Sequence, residues 1–540
     1  MSGPKSVKDI AKGDGPIAHV DPRQQPPLPF PYDNPEELPE FAELDDKARE
    51  AMTTLDNTVA VNIPVPKSKQ EEQELVNKFL SGMRKLFSEA DNWTFLQPLV
   101  ITLEHCAKCQ TCSESCHIYE ESGKNPLYRP TYRSEIFRRI YYKYIKNGST
   151  WVHGDIELNW RAVARLIELS YRCNLCRRCA QTCPIGADNA VLAREIRKVA
   201  SQEMGISARE LHEDGSVLQQ KVGSSTGMNA LVVKDNCEFI EEDTVDKTGL
   251  PEELCKIPWD KEGAEILLIH NAGEIMSWPD NVGSFAVLFN MAGLNWTMCS
   301  DLAAYDSINY GVWYDDVQFA RTAVLHAKAA AKLGVKKIIL GECGHAHKSL
   351  TVIADRVLTG ELNIPRESCF PTLLDIVKSG KIKFDPSRND FPITLHDPCN
   401  YVRLMGVVQP QRDVLKAITP PGRFREMEPH GVHNYCCGGG SGFAIMSGHN
   451  FGDWRHHVSG RRKFRQILDA FAPELKKGDT GPENPLYICA PCSNCKGQLR
   501  DLIEYYDAWE KYGLYYDGLV ELMVNAIADV KPGYIEFEQH

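Results

Sequence analysis

Eight of the 19 cysteines of this 540-residue chain fall into two runs. They are Cys106-x-x-Cys109-x-x-Cys112-x-x-x-Cys116 and Cys173-x-x-Cys176-x-x-Cys179-x-x-x-Cys183-Pro184. Thiolates are soft and stay deprotonated on iron. At this spacing three of them wrap one cube of iron and sulfide, and the fourth crosses to its neighbour. One cubane 4Fe-4S cluster is therefore expected on Cys106, Cys109, Cys112 and Cys183, and a second on Cys173, Cys176, Cys179 and Cys116. Structural zinc is the competing reading, but zinc sites pair one C-x-x-C with another some way off. Two complete four-cysteine runs are the more specific signal for iron and sulfide. His117, not proline, follows Cys116.

Five further cysteines stand in a second pattern: His396-Asp397-Pro398-Cys399, then Cys436-Cys437-Gly438-Gly439-Gly440, then Cys492-Ser-Asn-Cys495. Neighbouring side chains normally diverge, so Cys436 and Cys437 reach one centre only if the backbone bends sharply, which Gly438 to Gly440 permit. A disulfide between them is disfavoured by geometry. Cys489 leaves the register open, because Cys489/Cys492 is also a C-x-x-C pair.

The C-terminal half contains a faint repeat. Residues 337–350 can be laid on 486–499, pairing Cys343 with Cys492, Ala346 with Cys495 and Leu350 with Leu499. Residues 269–273 can be laid on 395–399, pairing Gly273 with Cys399. Two similar halves are expected to pack together, with cysteines kept only in the second. This register favours Cys492/Cys495 and turns Cys343, followed by His345 and His347, towards the cysteine site. Histidine can donate a proton near neutral pH. Cys343 and His345 are catalytic candidates on that ground; for His347 packing is the better reading, and for His396 a supporting or core role.

The pattern Cys399…Cys436-Cys437-Gly438…Cys492-x-x-Cys495 resembles the CCG domain of heterodisulfide reductases. With the two cysteine runs before it, the chain resembles the fused D-type polypeptide of that family over roughly residues 70 to 500. The resemblance implies one noncubane 4Fe-4S cluster on Cys399, Cys436, Cys437, Cys492 and Cys495 that cleaves a disulfide or trisulfide. The stretch Gly341-Glu-Cys343-Gly-His345-Ala-His347 and the proline-rich arm fit the form found in the DsrMKJOP membrane complex of dissimilatory sulfur metabolism. That form implies DsrC as protein substrate, a cytochrome b-type DsrM-like subunit and the other complex subunits as partners. It also implies a place on the cytoplasmic face of the membrane, held there by those partners. Cys299 lacks an adjacent cysteine, and Gly273 and Ala346 replace ligands, so a single noncubane cluster is expected.

The elements that must position these residues follow from hydrophobic pattern. The predicted class is α+β multidomain: a helical ferredoxin-like domain for the two cubanes, then an α/β pseudo-duplicated CCG domain, with an extended N-terminal arm. The expected boundaries are 1–65 for the proline-rich arm and 66–236 for the ferredoxin-like domain. A linker is expected over 237–262, the CCG domain over 263–510 and a tail over 511–540. Leu75, Phe79, Met83 and Phe87 recur at helical spacing. The Arg- and Tyr-rich residues 132–144 predict an inserted helix. Residues 265–270, 335–341, 393–396 and 486–488 read as strands alternating with helices, a βαβ pattern.

Composition narrows the partners. The formal net charge of -12 leaves no basic excess to neutralise phosphates, against nucleic acid. The first twenty residues lack the apolar core of a signal peptide, so a reducing compartment is expected. No apolar stretch reaches membrane-spanning length. Arg455, Arg461 and Arg462 could receive an acidic tail, although a solvated helix face is the plainer reading. Two rival functions remain: an iron–sulfur relay for a flavin-dependent glycolate, lactate or glycerol-3-phosphate dehydrogenase, with its flavin on another chain, and a zinc-binding scaffold.

Overall fold

The computed structural model describes residues 20–32, 61–92, 95–450 and 454–538. They form two compact units. The first takes the chain up to His212, with Trp313–Asp316 and Tyr435–Arg465. The second takes Glu213–Val312, Val317–Asn434 and the chain from Gln466.

The first unit is helical. Helix α1 (Lys69–Leu86) starts at Ser68, whose hydroxyl accepts the Glu71 N–H, and buries Val76, Phe79, Leu80, Met83 and Leu86. Helices α2 (Leu96–Glu104), α3 (Pro130–Ile140), α4 (Trp160–Tyr171) and α5 (Asn189–Met204) complete the bundle. Gly82 lets α1 lie close on α5, since a Cβ there would stand 2.6 Å from Val199 Cγ1. The first cysteine run fills the connection from α2 towards α3, and the second lies between α4 and α5. The helix expected over 132–144 is α3, continued by a wider turn over Tyr141–Ile145.

Part of the expected arm lies outside the described residues. Its described stretch, residues 20–32, packs on the first unit: Gln25 Nε2 donates to Glu121 O at 2.6 Å and His457 O at 2.8 Å.

The second unit is built on two all-parallel four-stranded sheets. The strands are β1 (Ile266–Ile269), β2 (Trp296–Thr297), β3 (Lys337–Leu340), β4 (Arg366–Ser368), β5 (Ile393–Leu395), β6 (Phe424–Glu426), β7 (Leu486–Cys489) and β8 (Leu514–Asp517). Their orders, β2-β1-β3-β4 and β6-β5-β7-β8, are the same topology twice over, as the repeat implied. The central strands are buried on both faces, which explains their unbroken apolar runs. The four strands read from sequence are β1, β3, β5 and β7. Of the other four, β2 has two residues and β4 and β6 are partly exposed, so they carry weak patterns, while the buried β8 lies where a tail was expected.

Two boundaries fall elsewhere than expected. The charged stretch 237–262 is no extended linker: helix α6 (Ala230–Thr248) runs into it, capped by Asn229, and buries Val233, Cys237, Ile240 and Thr244 within the second unit. The expected tail 511–540 supplies β8, whose Leu514, Tyr515 and Tyr516 are buried against β7.

Candidate iron–sulfur sites

In the first unit the two cysteine runs share one local geometry. Lys108 and Gln110 have φ of 56° and 68°, and Leu175 and Arg177, at the matching positions, have 49° and 60°. These left-handed residues curl each loop so that successive cysteines face inward. Cys112 is pushed up to about 11 by burial and by Cys106, Cys183 and Cys109 facing it. Cys116 is pushed up to about 12 by burial, with Cys176 and Cys173 adding to it. Cys116 therefore faces Cys173, Cys176 and Cys179 of the second run, and Cys183 faces Cys112 of the first. Thiols this crowded resist ionisation by themselves, and a multivalent iron centre supplies the positive charge that lets them ionise. The donor set thus fits iron–sulfur clusters.

The Cys436-Cys437 turn belongs to this same unit. Gly438 has φ of 97°, and a Cβ on it would lie 2.5 Å from Gly460 Cα, so only glycine fits. The Gly438 N–H points to Cys436 Sγ at 3.4 Å, and the Gly439 N–H to Cys437 Sγ at 3.4 Å. The turn is fastened to the second cysteine run: Asn174 Nδ2 donates to Gly438 O at 2.9 Å, and Ser441 Oγ to Cys173 O at 2.7 Å. Asn174 Oδ1 lies 2.7 Å from His117 Nε2, so the residue standing where proline was expected serves this junction.

In the second unit, Cys399 opens the short helix Cys399–Val402 after β5. Cys492 precedes helix α7 (Ser493–Tyr505) after β7, and Cys495 lies in its first turn. Strands β5 and β7 are neighbours whose outgoing connections leave towards opposite edges, and such a switch point opens a crevice at the strands' carboxyl ends. His396 Nε2 is 3.3 Å from Cys495 Sγ. Cys489 is instead buried at the end of β7 with Glu342, Glu521, Lys496 and Asp517 as its charged neighbours.

The first half of this unit meets the second at Cys343. The Ala346 N–H points to Cys343 Sγ at 3.4 Å, and the Gly344 N–H, two residues earlier, points to Cys492 Sγ at 3.3 Å. Burial first, then Glu274 and Cys492, push the Cys343 thiol up, so it stays protonated. His345 Nε2 accepts the Asn309 N–H at 2.9 Å, and burial holds its imidazolium down to about 3. Burial therefore disfavours the imidazolium that a proton donor near neutral pH would need, because the pocket excludes the water that would solvate the charge. His347 bridges Cys343 O at 2.7 Å and Ser368 Oγ at 2.9 Å, a packing role. The arginine expectation changes as well. Arg461 is fully buried beside Glu121, Arg462 pairs with Glu120 at 3.3 Å, and Arg455 is buried, so no solvated face exists there.

Sequence reasoning missed a buried charge cluster behind the cysteines. Lys496 Nζ lies 2.7 Å from Asp517 and 2.8 Å from Glu521, and Asn281 bridges Glu342 and Glu521. Glu342 is pushed up to about 7 by burial, against the pull of Lys496. The available signal was adjacency, since Glu342 precedes Cys343 and Lys496 follows Cys495. Asn271, which donates to Ser493 Oγ at 2.8 Å and points to Cys343 Sγ, had no signal beyond its place in the repeat.

Comparison with known proteins agrees with this layout. Residues 102–187 match the 4Fe-4S dicluster domain and residues 393–500 the CCG cysteine-rich domain. The chain is 27% identical over 416 residues to the Hdr-like menaquinol oxidoreductase iron-sulfur subunit 2 of Archaeoglobus fulgidus, covering 65% of this chain and 72% of that one. It is 24% identical over 369 residues to the D-type polypeptide of dihydromethanophenazine:CoB–CoM heterodisulfide reductase from Methanosarcina acetivorans, covering 66% and 81%. To the probable iron-sulfur-binding oxidoreductase FadF of Bacillus subtilis it is 22% identical over 474 residues, covering 81% and 62%. No helix among the described residues is long and apolar enough to cross a membrane. The chain thus carries a 4Fe-4S dicluster domain and a CCG cysteine-rich domain, which indicate iron–sulfur clusters, and is similar to heterodisulfide-reductase-like iron–sulfur proteins.

Proposed function

We propose that the chain is the DsrK-type catalytic subunit of a DsrMKJOP-like complex. It reduces, or in reverse oxidises, a disulfide or trisulfide on a DsrC-like protein. Cys399, Cys436, Cys437, Cys492 and Cys495 hold one noncubane 4Fe-4S cluster, and the two cysteine runs hold two cubanes. Reducing one S–S bond takes two electrons and two protons and yields two thiols. The cubanes supply electrons singly, and the noncubane cluster supplies iron that a substrate sulfur can ligate.

The observation that carries this reading is the fastening of the Cys436-Cys437 turn to the second cysteine run through Asn174 and Ser441. It supports a path in which electrons from a membrane cytochrome subunit enter at the first run, where Cys109 is exposed, cross to the second, and leave through the paired cysteines. Gly344 directs its N–H at Cys492, His396 Nε2 lies 3.3 Å from Cys495 Sγ, and polar contacts of this kind tune the electron density on ligand sulfurs. Cys343, held as a thiol, and neutral His345 line the approach from the first half and orient the incoming sulfur. The protein then lies on the inner face of the membrane through its partner subunits.

The test is anaerobic purification with an iron and sulfide count. EPR of the oxidised protein follows, with and without a trisulfide peptide. About twelve iron per chain and a substrate-sensitive signal that Cys437→Ser abolishes are expected. About eight iron with no such signal sinks the reading and leaves an electron relay. A stoichiometric flavin in the purified complex would then assign that relay to a flavin dehydrogenase.

A further inference from the structure

The charge cluster in the second unit holds three carboxylates and one ammonium. Glu342 follows β3, Lys496 lies in α7, Asp517 ends β8, and Glu521 lies in the helix Leu519–Asn525. Glu342, Lys496 and Glu521 are at most 1 % exposed, and Asp517 is 6 % exposed. Among the described residues, Lys496 is the one ion-pair partner of Asp517 and Glu521. Glu342 is met only by dipoles: Asn281 Nδ2 donates to its Oε2 at 3.1 Å, and the Leu519 and Val520 N–H groups donate to its Oε1 at 3.0 Å and 3.3 Å. The same Asn281 amide donates to Glu521 Oε1 at 2.9 Å, while Glu521 Oε2 is buried without a hydrogen-bond partner. A Cβ on Gly518 would stand 2.1 Å from Glu342 Oε2 and 2.4 Å from Glu521 Oε2, so these two oxygens crowd one small space that glycine leaves open. Two charged carboxylates so placed repel, and with a single ammonium the excess negative charge has no cation to meet it. A proton shared between them removes that excess.

The surrounding groups leave this balance in place. Glu274 has its own partner in His270, at 3.4 Å, and accepts the Asn271 N–H. The thiols of Cys369 and Cys489 and the phenols of Tyr401, Tyr487, Tyr515 and Tyr534 also face the pair, and burial pushes all of them up, so they stay neutral. Burial pushes Glu342 up to about 7, and burial followed by Asp517 pushes Glu521 well up. The cluster and the cysteine site share a backbone: Glu342 precedes Cys343, its carbonyl accepts the Ser493 N–H at 2.9 Å, and Lys496 follows Cys495. Cys343, Cys492 and Cys495 are themselves buried, and burial disfavours the imidazolium of both His345 and His347. Sulfur chemistry there needs a proton that these histidines do not hold near neutral pH.

We propose that Glu342 and Glu521 share one proton at neutral pH and are the proton store of the C-terminal cysteine site. The store rests on the sulfur-reducing reading. Reduction of one S–S bond consumes two electrons and two protons. The pair gives one of those protons and is left as two carboxylates; water gives the other and afterwards restores the first. Glu342 and Glu521 act through the groups between them and the sulfur, and are positioning residues for the proton.

The experiment is infrared spectroscopy of the full iron-loaded chain at pH 7 in H2O and D2O, as wild type, Glu342→Gln and Glu521→Gln, with iron counted and a urea midpoint taken for each. The wild type is expected to show the carbonyl band of a protonated carboxyl group, shifted in D2O. Either Gln variant removes one negative charge, so the remaining acid ionises and the band is lost from both. No such band in the wild type overturns the proposal without recourse to a variant. So does a band kept in both variants, which belongs to another acid, or one lost from a single variant, which makes it one neutral acid rather than a shared proton. The store is read by EPR titration of the C-terminal signal at several pH values. One proton taken up with one electron changes the reduced-to-oxidised ratio tenfold per pH unit, about 59 mV. That slope is expected in the wild type and lost in Glu521→Gln, with the cubane midpoints unmoved; an equal slope in both proteins overturns the store. A wild type that keeps the infrared band but has no C-terminal EPR signal would instead remove the sulfur-reducing reading beneath it.

Discussion

Asn174 Nδ2 donates to Gly438 O at 2.9 Å, joining the residue after Cys173 to the residue after Cys437. The bond links two segments 264 positions apart in the chain. Asn174 also binds His117 and Ser459 through its other amide atom, at 2.7 Å and 3.1 Å. Asn174→Ala strips three buried partners at once and is expected to destabilise the first unit by about 3 kcal/mol. It should also slow the appearance of reduced C-terminal signal after mixing with dithionite. Denaturant midpoints and rapid-freeze EPR measure the two effects, and an unaltered rate would remove Asn174 from the electron path.

Cys489 and Cys495 separate the two possible ligand registers. Cys495 Sγ meets His396, while Cys489 faces the Glu342–Lys496–Glu521 charges. Cys495→Ala is expected to lower the iron count by about four per chain. Cys489→Ala should leave iron unchanged and cost about 1 kcal/mol for the small void. Iron analysis of the two variants decides, and loss of iron in Cys489→Ala alone would reverse the assignment.

Gly438→Ala tests the turn. With φ at 97° and Gly460 Cα 2.5 Å from the new Cβ, the loop must shift. A loss of about 3 kcal/mol is expected from strain and contact together. The C-terminal EPR signal should vanish while the cubane signals persist. A retained C-terminal signal would show that the paired cysteines tolerate a different bend.

His347 predicts a pH effect. Burial holds its imidazolium down to about 4, below the 6.5 of an exposed histidine. The unfolded chain therefore binds more protons between pH 6.5 and 4. Stability from this residue is full above 6.5 and is lost as the pH falls towards 4. Between pH 7 and pH 5 the loss is about 2 kcal/mol. His347→Gln should flatten that slope, read as the difference in urea midpoints at the two pH values. An equal slope in both proteins would place the buried proton elsewhere.

Local geometry was legible wherever a motif carries its own conformation. The spacing of the cysteine runs was read directly, whereas the left-handed Lys108, Gln110, Leu175 and Arg177 that curl the two loops are seen only in the structure. Strands β1, β3, β5 and β7 announced themselves as unbroken apolar runs because both their faces are buried. The half-exposed β6 and two-residue β2 carry no such mark. Arg461 and Arg462 read as a solvated face because charge normally seeks water, and only Glu120 and Glu121, some 340 positions earlier, make them interior.

By itself, the sequence determined the number and grouping of the cysteines, the pseudo-duplicated halves and the requirement for glycine after Cys437. Spacing along a chain limits which thiols can share a centre, and apolar periodicity limits which segments can be buried. Tertiary structure alone decided that the Cys436-Cys437 turn belongs with the second cysteine run, that burial disfavours the charged form of His345, and that Arg461 is interior. Those properties depend on which distant groups exclude water from one another, and linear order does not encode that.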